Sequence, residues 1–125
     1  MRLLLDTHVL LWWLANDPSL KPAARSAIAA SDSEVFVSAA SAWEISIKRA
    51  LGKLEAPMDL ATELERNRFE PLSLTVAHAE AAGALPRHHD DPFDRALVAQ
   101  AQAEELVVVT RDPRFALYRI GTLAA

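Results

Sequence analysis

Residues 2–15 read RLLLDTHVLLWWLA and combine an apolar strand with the helix that follows it. Leu3 to Leu5 form a short continuous apolar run that ends at a polar residue, a pattern typical of a buried parallel strand. A helix is predicted over Thr7 to Ala15, and the Asn-Asp-Pro turn at residues 16–18 ends it. Asp6 therefore follows the carboxyl end of a strand, where parallel α/β proteins bind their ligands.

Strand and helix patterns alternate along the rest of the chain. Further strands are predicted at residues 34–37, 71–74 and 106–109, with a short edge strand at 118–120. Helices are predicted over residues 22–30, 39–51, 60–67, 76–83 and 92–105. This alternation predicts an α/β fold, with a central, mainly parallel sheet of four to five short strands and helices on both faces.

One face of the long helix at 39–51 is predicted to pack inward. Its apolar residues recur at helical spacing, and the series is Ala40, Trp43, Ile47, Leu51 and Leu54.

The net charge, the Cys content and the lengths of the apolar runs limit the classes of protein to which this chain can belong. The chain has 125 residues and a net charge of −4, from 17 acidic residues against 13 Lys and Arg. That balance argues against a protein that binds nucleic acid mainly by neutralising phosphates, unless the contact is small or uses a bound cation. The absence of Cys excludes disulfides and thiolate metal sites. The longest apolar run, residues 9–15, is far shorter than the ~18 residues of a membrane span, so a cytoplasmic location is expected.

Acidic residues occur at unusual places in this pattern. Asp6 and Asp112 follow strands, Glu44 lies inside the long helix, and Asp94 begins an apolar helical stripe. Three of them have a local alternative: Asp6 as a helix cap, Asp112 as a turn residue, and Glu44 as the ion-pair partner of Lys48.

Convergence of these acids would require shared protons or a cation. Two carboxylates ~4 Å apart repel by about 4 kcal/mol at an effective dielectric constant near 20, so a cluster needs shared protons or a divalent ion. Oxygen ligands favour Mg²⁺ or Mn²⁺. An ion with an open coordination position suits phosphoryl chemistry and bridges an acidic site to an anionic substrate.

Segments spread along nearly the whole chain resemble the PIN-domain ribonucleases, in particular the VapC-type toxins of type II toxin–antitoxin pairs. They are LLLDTHVLLWWL (3–14), SAASAWEISIKRALGKL (38–54), LPRHHDDPFDRALVAQA (85–101) and VVVTRD (107–112). The resemblance implies a single PIN domain over residues 1–125, with a PIN-like three-layer fold. It also implies an endoribonuclease that uses Mg²⁺ or Mn²⁺ and a metal-activated water to hydrolyse RNA, and so inhibits translation. Expected partners are a second copy, giving a homodimer, and a VapB-type antitoxin that covers the active site in a higher assembly.

The resemblance also assigns residues to the site. It makes Asp6, Glu44, Asp94 and Asp112 the catalytic and metal-binding acids. Asp91 is either an additional ligand or the helix cap, and both interpretations stay open. Thr110 is a supporting residue that either bonds an acid or metal-bound water, or faces solvent. The candidates for RNA contact are Lys48, Arg87, Arg95 and Arg111. The loop with His88 and His89 is expected to contact RNA or a partner.

Non-catalytic alternatives make different demands on the sequence. A receiver-like module that binds Mg²⁺ needs a Lys after a late strand, where this chain has Thr110-Arg111-Asp112, and it has no role for Glu44. A partner-binding α/β module predicts that divalent ions leave the melting temperature unchanged, whereas a nuclease predicts that they raise it.

Overall fold

Five short strands form one parallel sheet in the computed structural model, which describes residues 1–125. They are β1 (Arg2–Leu5), β2 (Glu34–Ser38), β3 (Glu70–Leu72), β4 (Val107–Thr110) and β5 (Thr122–Ala124). Their order in the sheet is β3-β2-β1-β4-β5, and every neighbouring pair is parallel. The chain moves outward from β1 to β3 and then returns to the other side of β1. The order therefore reverses between β1 and β4, the point where open α/β sheets bind ligands.

Six α-helices and one 3₁₀-helix connect the strands. They are α1 (Thr7–Leu14), α2 (Pro22–Ala29), α3 (Ala39–Ala50), α4 (Leu60–Arg66), α5 (Val76–Ala84), α6 (Pro92–Glu104) and the 3₁₀-helix Pro113–Tyr118. Most start at a side chain that accepts a hydrogen bond from the first turn; for the α-helices these side chains are Asp6, Ser38, Asp59, Thr75 and Asp91. The longest, α6, has 13 residues, and none has the length and hydropathy of a membrane span.

The apolar run of β1 supplies the core on both faces of the sheet. Leu3 and Leu5 belong to one buried cluster, which α1, α2 and α4 cover. Leu4 points the other way and joins a second cluster with residues of α6 and the 3₁₀-helix. All three side chains are fully buried, which stabilises the fold by roughly 2 kcal/mol each. The predicted parallel sheet with helices on both faces is thus confirmed.

The edge strand predicted at residues 118–120 is wrong. Residues 113–118 form the 3₁₀-helix, and the edge strand is β5, which starts at Thr122. Phe115 and Tyr118 are three residues apart, so one side of a 3₁₀-helix buries both of them. Arg119 then takes a left-handed conformation (φ 58°) and separates the helix from β5.

The predicted inward face of α3 is wrong for Trp43, Ile47 and Leu51, although Ala40 is buried as predicted. Trp43 is 60% exposed and Leu51 is 63% exposed, whereas Glu44 and Ile45 are buried. This side places Ile45 in the hydrophobic core and Glu44 against hydrogen-bond donors, which are described below.

Candidate active site

Asp6 is fixed between β1 and β4, at the point where the strand order reverses. Its backbone N–H donates to the carbonyl of Val109 (3.1 Å). Carboxylate oxygen Oδ1 accepts the N–H of Val9 (2.9 Å), and Oδ2 accepts the hydroxyl of Thr110 (2.5 Å). Burial raises the pKa of Asp6, and the Thr110 hydroxyl opposes that rise. Asp6 therefore caps α1 and is also a buried acid of the site, with Thr110 as its partner.

Glu44 enters the same region from α3 and is only 5% exposed. Its Oε1 accepts the hydroxyl of Thr7 (2.7 Å), and its Oε2 accepts Nζ of Lys48 (2.6 Å). The hydrogen bond to Glu44 raises the pKa of Lys48. The ion pair expected from the i, i+4 spacing is present, but it joins a buried carboxylate to a half-exposed ammonium group.

His89 connects the two remaining acids. Its Nε2 lies 2.8 Å from Oδ2 of Asp94, at the start of α6, and 3.0 Å from Oδ2 of Asp112, after β4. Possible ligand atoms of these three residues all lie within 4.8 Å of one another. Only 4% of His89 is exposed, so the contact with RNA or a partner expected for its loop does not apply to this residue.

Asp112 also forms an ion pair with the exposed Arg114. Arg114 donates from Nε to Oδ1 (3.0 Å) and from a terminal nitrogen to Oδ2 (2.7 Å). The guanidinium hydrogen bond lowers the pKa of Asp112 to about 2. Asp112 is therefore charged throughout the neutral range.

The charges of the other acids of the site act on Asp94. Burial raises its pKa to about 7, and charge repulsion from Asp91, Asp6, Glu44 and Asp112 adds to the rise. Acidic side chains from four separate parts of the chain therefore lie close enough to affect one another's charge. Such a cluster holds either a proton on Asp94 or a cation among the carboxylates.

The remaining predicted residues are placed as follows. Asp91 is the N-cap of α6, because its Oδ1 accepts the N–H groups of Phe93 (2.8 Å) and Asp94 (3.1 Å). Arg87 is exposed. Arg111 stacks on Trp12 at 4.3 Å and donates to the carbonyls of Ser19 and Ala125.

Arg95 does not suit RNA contact, because its guanidinium is occupied within the fold. It donates to the carbonyl oxygens of Ala82, Gly83, Leu85, Pro86 and His89. These bonds fasten the end of α5 and the following loop to α6. Arg111 is committed in the same way, to the chain around α1 and β5, so neither arginine is free to bind phosphate.

We expect Arg95→Ala to destabilise the chain by about 2–3 kcal/mol, because several carbonyls lose a charged donor. Urea unfolding measures this change. Arg87→Ala is the matched control, since Arg87 is exposed in the loop that Arg95 fastens to α6, and its effect should stay within about 0.5 kcal/mol. Equal effects of the two substitutions would contradict the assigned role of Arg95.

Sequence reasoning missed three residues that orient the acids: Thr7, His89 and Arg114. Thr7 had a local signal, because it follows Asp6 directly in the first turn of a helix. Arg114 is two residues from Asp112, but this spacing is common in turns. His89 contacts Asp112 across 23 positions of sequence, which no local pattern reveals.

The family model of the PIN domain matches residues 3–121. The chain belongs to the PIN-domain family. Ribonuclease VapC22 of Mycobacterium tuberculosis (strain ATCC 25618 / H37Rv) is 31% identical over 119 residues, a match that covers 93% of this chain and 91% of the relative. The resemblance carried by the four sequence segments is thus confirmed.

Solved structures share this PIN fold. The VapBC2 complex of Rickettsia felis, bound to a DNA fragment from its promoter, aligns with a TM-score of 0.72 at 15% identity and covers 99% of this chain and 98% of that one. DNA-bound VapBC from Salmonella typhimurium aligns with a TM-score of 0.69 at 21% identity, with the same coverage. At these identities the likeness concerns the fold.

Proposed function

We propose that this PIN-domain chain is a metal-dependent endoribonuclease, the toxin of a type II toxin–antitoxin pair. The observation that carries the proposal is the environment of Asp94, whose pKa rises to about 7 through burial and four neighbouring carboxylates. The relation to Ribonuclease VapC22 and the shared fold with VapBC complexes support the same conclusion.

The donor set fits a hard divalent ion. The four acids offer only oxygen atoms, which Mg²⁺ and Mn²⁺ prefer, and a dication offsets both the burial and the charge repulsion that raise the pKa of Asp94. We assign Asp6, Asp94 and Asp112 as ligands, and Glu44 as a ligand or as the proton acceptor. When bound, the ion supplies an acidified water and stabilises negative charge on phosphate oxygens. Asp91 is left out of this set because it caps α6.

Neighbouring side chains orient the acids through hydrogen bonds. Thr110 orients Asp6, and Thr7 orients Glu44. Lys48 donates to Oε2 of Glu44 and holds the carboxylate in place as the candidate acceptor of a proton from an attacking water. We retain Lys48 and Arg87 as the groups that contact RNA phosphates.

A partner surface accompanies the proposed toxin function. Trp43, Ile47 and Leu51 are exposed along α3, next to the buried Glu44. Exposed apolar residues grouped in this way are typical of protein contacts. They support the proposed homodimer and the VapB-type antitoxin that neutralises the toxin. We propose that the free toxin acts in the cytoplasm by stopping translation.

Cleavage of RNA by the purified chain tests the proposal. With labelled RNA and Mg²⁺ or Mn²⁺, we expect cleavage that stops on chelation and returns when the ion is restored. A chain carried through the same purification with Glu44→Gln serves as the control for contaminating nucleases. Cleavage that persists in the presence of chelator, or equally in this control, would contradict the proposed activity.

A further inference from the structure

His89 contacts two of the proposed ligand residues without being an acid itself. The same ring atom, Nε2, lies within hydrogen-bond distance of Oδ2 of Asp94 and of Oδ2 of Asp112. The two carboxylates come from different elements, one from the start of α6 and the other from the turn after β4. Their relative position therefore depends on this ring.

The opposite ring nitrogen determines which atom carries the proton. Nδ1 of His89 accepts a hydrogen bond from the backbone N–H of Asp91 (3.1 Å). An imidazole nitrogen that accepts a hydrogen bond has no proton, so the proton of the neutral ring lies on Nε2. With that proton, Nε2 is a hydrogen-bond donor to Asp112 and has no free lone pair for a metal.

The ring is also held from other directions. The backbone N–H of His89 donates to the hydroxyl of Tyr118 (2.8 Å), and its carbonyl accepts Arg95 (3.1 Å). The imidazole packs edge-on against Phe115, and 3% of the side chain is exposed. These contacts fix the direction of the Nε2–H group before any cation arrives.

We propose that His89 is a positioning residue of the metal centre rather than one of its ligands. Its Nε2–H group donates to Oδ2 of Asp112 (3.0 Å), and Oδ2 of Asp94 lies 2.8 Å from the same nitrogen, so the ring keeps the two carboxylates together. The ring contacts Asp94 through Oδ2, which leaves Oδ1 of that carboxylate available to a divalent cation. The inference rests on the proposed function, because it assumes that these acids bind an ion. Partners of this kind around metal ligands typically contribute 10–100-fold to metal affinity.

Two amide substitutions test the roles of Nε2 and Nδ1 separately. In His89→Gln, the longer side chain places an N–H group near the position of Nε2, so the bridge to the carboxylates is retained. In His89→Asn, the shorter side chain accepts the Asp91 N–H but does not reach the carboxylates. With Mn²⁺ as the probe and no RNA present, we expect the dissociation constant to rise about 10–100-fold for His89→Asn and to stay within about threefold for His89→Gln. Equal losses in both variants, or no loss in either, would overturn the proposal.

A second measurement uses the unmodified chain and does not depend on how the variants fold. Nitrogen-15 NMR of the imidazole should show the proton on Nε2, both without metal and at saturating Mg²⁺. Loss of that proton on Mg²⁺ binding would make His89 a ligand and overturn its positioning role. RNA cleavage is measured separately. If the chain binds Mn²⁺ with the expected difference between variants but leaves RNA intact, the proposed function fails and the positioning role stands.

Discussion

The Asp94→Asn chain is expected to lose RNA cleavage at least about 100-fold while its metal-free form becomes more stable. Residues that only orient metal ligands contribute 10–100-fold, so the loss of a ligand should cost at least the upper part of that range. The metal-free chain becomes more stable because the amide is neutral. It replaces a carboxylate whose charged form the folded chain disfavours, since burial and four neighbouring acids raise its pKa to about 7. The cleavage rate and the melting temperature in the presence of chelator measure the two effects.

Asp90→Asn is the matched control for this substitution. Asp90 lies in the loop just before α6 and is exposed, so the variant changes the net charge equally without touching the cluster. We expect its cleavage rate and melting temperature to stay near those of the parent chain. If Asp94→Asn cleaves RNA at the parent rate, Asp94 is not a ligand. If it melts at a lower temperature without metal, the carboxylate cluster is not under the repulsion described here.

Much of the fold could be predicted from local physical chemistry. The three leucines of β1, the caps Asp6, Ser38 and Asp91, and the alternation of strands and helices are short-range signals, and the structure follows them. The assignment of the whole of residues 1–125 to a single PIN domain stays a prediction. The catalytic roles of the acids also stay predictions, although the structure brings the acids together.

Orientation within an element was harder to predict. On α3, apolar residues occur at helical spacing on two sides, one with Trp43 and Leu51 and the other with Ile45. Spacing alone does not distinguish these sides, because the choice depends on Thr7, which bonds Glu44 from another helix. The role of Arg95 was missed for the same reason, since its partners are backbone carbonyls that a sequence does not display.

Stability of the metal-free chain should fall as the pH rises from about 4 to about 7.5. Unfolded Asp94 has its ordinary pKa of 3.8, whereas in the folded chain this pKa is about 7. Between these values the folded chain holds a proton that unfolding releases, so the free energy of unfolding decreases with pH. A rise of about 3 pKa units corresponds to a loss of up to about 4 kcal/mol. The pKa of buried Asp6 is also raised and acts in the same direction.

Urea unfolding at a series of pH values, with chelator and with Mg²⁺, tests this dependence. Asp112 has its pKa lowered to about 2, so its contribution changes only below about pH 4 and does not overlap with that of Asp94. The difference between the parent chain and Asp94→Asn removes the contribution of titrating groups outside the cluster, and it should favour the variant increasingly up to about pH 7. Mg²⁺ should reverse the trend, because the ion binds the charged carboxylates of the folded chain only. The opposite result would be a parent chain that gains stability with rising pH, relative to Asp94→Asn, in the presence of chelator. The acids that follow β1 and β4 and those of α3 and α6 would then not repel one another, and the proposed metal centre would lose its physical basis.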